Sequence, residues 1–160
     1  PPPARLPTPR PPAPGALPAP AAGRLLARFG APDALGAPRT GVEIAAPVWA
    51  EARAPDVASV RFAGSVAGRG GVVILELRRG RLMILAGLAE VTVAAGETVP
   101  AGAILGHAGA MGMGAAEFLV EAPLPEGALS EATLHLEARE DGRPVDPARW
   151  FHLEGKAGPS

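Results

Sequence analysis

From residue 42 to residue 139 the chain is a series of short apolar runs, rich in Val, Ile and Leu, punctuated by glycines and prolines before any run is long enough for a helix. Runs of this kind, about four to eight residues closed by turn formers, read as strands: β-branched side chains fit a pleated surface, and glycine supplies the positive φ of tight turns. The expected strands are 42–48, 57–63, 71–78, 81–88, 90–93, 98–107, 117–122 and 132–139, with Arg78-Arg79-Gly80 as a hairpin turn. Helical periodicity is confined to 23–29, ahead of Gly30, where one or two turns ending at a glycine are expected. The fold class is therefore mainly β.

Half of all the prolines lie in residues 1–23. Proline has no donor for a ladder and fixes φ, so this segment is expected to be a disordered, semi-rigid linker, with a ligand for a polyproline-reading groove as the alternative. The domain then runs from 24 to 155, followed by a tail at 156–160. Residues 111–131 are rich in Gly and Pro and read as a long loop or added hairpin, either a plain surface loop or a lid. The chain opens on Pro1-Pro2-Pro3 without an initiator Met, which reads as an excised fragment with any export signal upstream.

The formal net charge is −1 with both signs interspersed, which gives no field to draw the chain onto nucleic acid or anionic lipid. Cysteine is absent, so neither disulfides nor thiolate metal sites can form. No stretch approaches the ~20 apolar residues that a membrane helix needs.

Read in order, Arg39-Thr40-Gly41-Val42-Glu43-Ile44, VVILELRRGRLMILAGL (72–88), VTVAAGETVPAGAILGHAG (91–109) and TLHLEAREDGRPVDPARW (133–150) resemble the successive motifs of LytM-type domains, the lysostaphin-like metallopeptidases. The resemblance covers residues 29–151 and implies an antiparallel β-sheet or barrel-sandwich with a groove. Enzymes of that family bind zinc through the His and Asp of an H-x-G-x-D motif and the second His of an H-x-H motif, assisted by two further histidines. The matching positions here hold Arg39 and Glu43, Thr133 and His135, and, for the histidine of the hairpin strand, Gly87. A guanidinium offers no lone pair and stays protonated below pH ~12, whereas a catalytic zinc takes about three protein ligands. Glu43 and His135 alone make a poor site, so the expectation is no enzyme, no metal and no cofactor. Side chains that once converged on one ion still aim at one point, so Arg39 and Glu43 are expected to meet as a salt bridge.

Members of that family without zinc ligands include the EnvC-like and NlpD-like activators of periplasmic cell-wall amidases. The chain looks like an EnvC-type activator, with a coiled coil upstream of the proline-rich spacer. The resemblance then implies a periplasmic, non-enzymatic activator of an N-acetylmuramoyl-L-alanine amidase, a zinc enzyme that splits septal peptidoglycan in cell division. The groove, lined by Arg39, Glu43, Arg69, Gly87, Thr133, His135 and Arg139, would receive a helix of the amidase or of its regulator. A division-site membrane complex, reached through upstream regions, and peptidoglycan are further implied partners. Arg39, Arg139, Arg61 and Arg69 are the candidates to pair with acidic side chains of a partner. Glu137 and Glu140 fit a solvated strand end, His107 and His152 surface or packing positions, and Trp49 and Trp150 core plugs or edge packing.

Three other readings differ in kind. A non-catalytic peptidoglycan-binding module would want exposed aromatics, of which the chain has few and no tyrosine. ETVPAGAILGH (97–107) also resembles a lipoyl or biotinyl carrier strand, but the only lysine is Lys156 in the tail. A residual zinc endopeptidase would have to work with Glu43 and His135.

Overall fold

The computed structural model describes residues 17–109 and 131–153. In chain order the strands are β1 (Leu17–Pro18), β2 (Arg24–Ala27), β3 (Val42–Pro47), β4 (Glu51–Arg53), β5 (Ala58–Val66), β6 (Gly70–Glu76), β7 (Leu82–Val91), β8 (Thr98–Val99), β9 (Ile104–Ala108), β10 (Glu131–Glu140), β11 (Arg143–Val145) and β12 (Phe151–His152). Ten of them form one antiparallel sheet in the order β2-β3-β10-β7-β6-β5-β8, with β11 beside β10 and the β4–β9 pair attached through β7. β1 and β12 form a separate two-stranded parallel pair. The mainly β class is the one expected from the apolar runs, and the antiparallel pairing is the one implied by the resemblance.

Side-chain alternation on β10 shows how the sheet divides its two faces. Leu134, Leu136 and Ala138 are fully buried and pack with Val42 and Ile44 of β3 and with Met83 and Leu85 of β7. The intervening Thr133, His135, Glu137 and Arg139 share the opposite face, as the period of two requires. Trp150 is a core plug: it is buried, its indole Nε1 donates to Glu140 Oε1 at 2.9 Å, and the Arg81 guanidinium lies 5.3 Å from its ring centroid.

Several expected elements change. Residues 23–29 are not helical: Arg24–Ala27 pair with β3 as β2, and a helix of one or two turns cannot compete with a waiting strand edge. The expected linker is shorter than 1–23, because Leu17 N donates to Trp150 O at 2.9 Å and Pro20 and Ala21 are buried. Runs 81–88 and 90–93 are one strand, β7, whereas 98–107 is two, β8 and β9, separated by the turn over Pro100–Gly102. The expected strand 117–122 and most of the 111–131 segment lie outside the described residues, as does the tail.

Candidate functional site

β7 changes partner halfway along. Its first half, Leu82–Ala86, pairs with β10, and its second half, Leu88–Val91, pairs with β9. Gly87 is the residue between, skipped in the pairing with β6, where the register shifts across Gly71 and Val72. This is a β-bulge, which bends a sheet locally and is built on a residue that tolerates an unusual backbone. Gly87 has φ 100°, and a Cβ placed on it would lie 2.4 Å from the Thr133 carbonyl oxygen. Its own N–H donates to Arg69 O and its carbonyl accepts from Gly109 N, each at 3.1 Å, so the bent backbone is pinned on both sides.

The bend opens a depression of about 340 Å³ lined by Glu43, Arg69, Ala86, Gly87, Thr133 and His135. His135 is the cross-strand neighbour of Glu43 on one side and of Ala86 on the other. Five of the seven residues assigned to the groove from sequence, Glu43, Arg69, Gly87, Thr133 and His135, therefore share one hollow. A sixth, Arg39, reaches it from outside: its Nη1 donates to Glu43 Oε1 at 3.0 Å, the ion pair expected from the motif, with the two side chains 25% and 31% exposed. The seventh, Arg139, does not line the hollow, and Arg61 pairs with Glu76 on β6.

Arg139 is held by the residue that strand patterning misjudged. Glu137 is not at a solvated strand end; its side chain is 6% exposed. Thr40 Oγ1 donates to its Oε1 at 2.9 Å and His135 Nε2 lies 3.0 Å from the same oxygen, while Arg139 donates to Oε2 from Nε at 3.3 Å and Nη2 at 3.1 Å. The chain before β3 covers this carboxylate because Gly41 has no side chain: a Cβ there would lie 2.4 Å from Leu136 O and 2.8 Å from Glu137 Cγ. Burial pushes the Glu137 carboxyl up, but the hydrogen bonds from His135, Thr40 and Arg139 outweigh it and hold the group below its usual range. The signal in the sequence was Thr133-x-His135-x-Glu137-x-Arg139, a strand whose whole non-core face can hydrogen-bond.

The sign of the pH dependence follows. A carboxylate whose pKa is lower folded than unfolded adds stability that is present above the unfolded value and lost as pH falls through the folded one. Wild-type chain should therefore lose stability on acidification below the ordinary carboxylate range more steeply than Glu137→Gln. Denaturant titrations at neutral and acid pH would check this; parallel curves for the two chains would contradict it.

A zinc ion in the manner of the LytM enzymes does not fit these residues. The Arg39 guanidinium occupies Glu43, and Glu137 accepts from His135 Nε2. Gly87 has no room for a side chain of any kind. Among the described residues no three His, Asp or Glu side chains converge on a point that could hold a metal. What the arrangement can do is present fixed charges and hydrogen-bonding groups in a rigid hollow.

Comparison with known proteins places this geometry. A curated, uncharacterized protein of Neisseria meningitidis is 31% identical over 106 residues, 66% of this chain but only 15% of its own length. Among solved structures the fold is similar to Csd3 of Helicobacter pylori (TM-score 0.64, 22% identity, 84% of this chain and 33% of that one). It is also similar to a zinc-containing peptidase from Vibrio cholerae (TM-score 0.64, 21% identity, 88% and 40%). The catalytic domain of lysostaphin from Staphylococcus simulans gives a TM-score of 0.56 at 20% identity, over 76% of this chain and 85% of that one. The chain thus spans a small part of its curated relative and less than half of two of these structures. Residues 37–147, more than half of the chain, match the sequence profile of peptidase family M23, and the chain belongs to that family.

Proposed function

We propose that this M23 domain is a non-enzymatic activator of a periplasmic cell-wall amidase and that it works by binding the amidase, or the helix that regulates it, in the hollow between β3, β7 and β10. The observation that carries the reading is the Arg39–Glu43 ion pair, which puts a cation that cannot polarise water where the family's enzymes hold one that can. A pocket with that substitution keeps its concavity and polar walls, which suit a peptide or helix laid along it. The division-site complex and the export of the chain belong to the same reading, as does contact with peptidoglycan.

The test is dye release from labelled cell wall by an amidase of the same organism, with and without the chain. Release well above that of the amidase alone, with none from the chain alone, is the expected result. Metal analysis of chain equilibrated with zinc and desalted should find far less than one equivalent. Digestion by the chain alone, or stoichiometric zinc, would return it to the hydrolases; failure to stimulate the amidase would remove the activator reading.

A further inference from the structure

Two depressions meet at the Arg39–Glu43 pair. Glu43 lines the polar one described above, and Arg39 lines a second of about 300 Å³ whose walls include Leu26, Arg28, Ala31 and Pro32. The wall formed by Ala31 and Pro32 is stiff. Gly30 N donates to Arg39 O and Arg39 N to Ala31 O, at 2.9 and 3.0 Å, and Asp33 Oδ1 accepts from the backbone N–H groups of Leu35 and Ala37. At its tip Leu35 is 94% exposed, more than any other large apolar side chain among the described residues.

Charge is distributed unevenly over this surface. Of the four arginines assigned to a partner from sequence, Arg39, Arg61 and Arg139 are each taken by a glutamate of the chain itself. Arg69 is exposed and has no ion pair or hydrogen-bonded side-chain partner among the described residues, and the same holds for Arg28 in the second depression. The two depressions together carry three arginines against one glutamate, whereas the whole chain has a net charge of −1. Unpaired guanidiniums beside preformed apolar walls are what an acidic amphipathic ligand requires.

We infer that Arg28 and Arg69, on either side of the Arg39–Glu43 bridge, pair with carboxylates of an acidic amphipathic segment of the partner protein, whose apolar side packs on Leu26, Ala31, Pro32 and Leu35. This rests on the activator reading and specifies the partner's chemistry. Arg39 serves as the fixed divider between the two depressions and is not itself the reader of acidic groups.

The experiment measures affinity of the full chain for the zinc amidase of the same organism at about 50 and 200 mM salt, alongside dye release, for wild type, Arg28→Glu, Arg69→Glu and Arg149→Glu. Arg149 is also exposed and without an ion pair among the described residues, and lines neither depression. The expected result is binding about tenfold weaker or worse for Arg28→Glu and Arg69→Glu, with a shallower salt dependence, while Arg149→Glu binds like wild type. Unchanged affinity in the two variants, while wild type still binds and stimulates, overturns the inference and leaves the activator reading standing. An equal loss in Arg149→Glu overturns it as well, since net charge would then be what matters. Capture of purified sacculi, lost in both groove variants and with no amidase affinity, would assign the surface to cell wall instead. If wild type neither binds nor stimulates an amidase, the activator reading fails and takes this inference with it.

Discussion

Chain carrying Gly87→Ala is expected to be less stable than wild type by about 3 kcal/mol or more and to melt more than about 10 °C lower. Two separable effects add. A positive φ costs a non-glycine residue roughly 1–2 kcal/mol, and here the new Cβ would also stand 2.4 Å from the Thr133 carbonyl oxygen, a backbone atom that cannot swing aside. Gly68→Ala isolates the first effect, because Gly68 has φ 78° with open space around it. Thermal melts of the two variants should differ by the clash. If Gly87→Ala melted within a few degrees of Gly68→Ala, the bulge would be able to relax, and the hollow would be softer than its hydrogen bonds suggest. The same geometry means that a histidine at residue 87 cannot be introduced by one substitution, since the obstacle is the path of the backbone.

The second large effect is expected at Glu137. Glu137→Ala removes the acceptor of Thr40, His135 and Arg139 together and empties the place of a buried side chain, and because the three donors are exposed or half-buried and water can reach them, the cost is about 2 kcal/mol and not more. Arg139→Ala should cost clearly less, about 1 kcal/mol, because that side chain is 39% exposed and Glu137 keeps its other two donors. Denaturant midpoints at neutral pH would give the ranking. A larger loss for Arg139→Ala would mean that Glu137 is held by one partner, not by a network. The amide of Glu137→Gln should fall between the two.

The legible part of the fold was the part set by local pattern. β3 and β6 were readable as short apolar runs rich in Val and Ile, β10 because its apolar and polar positions alternate, and the meeting of Arg39 with Glu43 because a motif fixes where its side chains aim. The rest depends on contacts distant in sequence. Arg24–Ala27 become a strand because the edge of β3 is there to receive them, and Leu17–Pro18 join the domain through Phe151 and His152 at its far end. Glu137 sits three residues from the end of β10, a position that is normally wet; only the passage of Thr40 and Gly41 across it makes it dry. The pairing of Arg61 with Glu76 was likewise unreadable, since it is decided by the register of β5 against β6.

The parallel pair between Leu17–Pro18 and Phe151–His152 has a mechanical consequence. Because the two short strands run the same way, a pull on the chain before Leu17 and after His152 slides one past the other, so that their hydrogen bonds share the load and do not open one at a time. Tension transmitted along the polypeptide would thus be borne by this clasp and by the Trp150 anchor beside it, while the bent sheet that carries the hollow is bypassed. The hollow would then keep its shape while the two ends of the domain are under load.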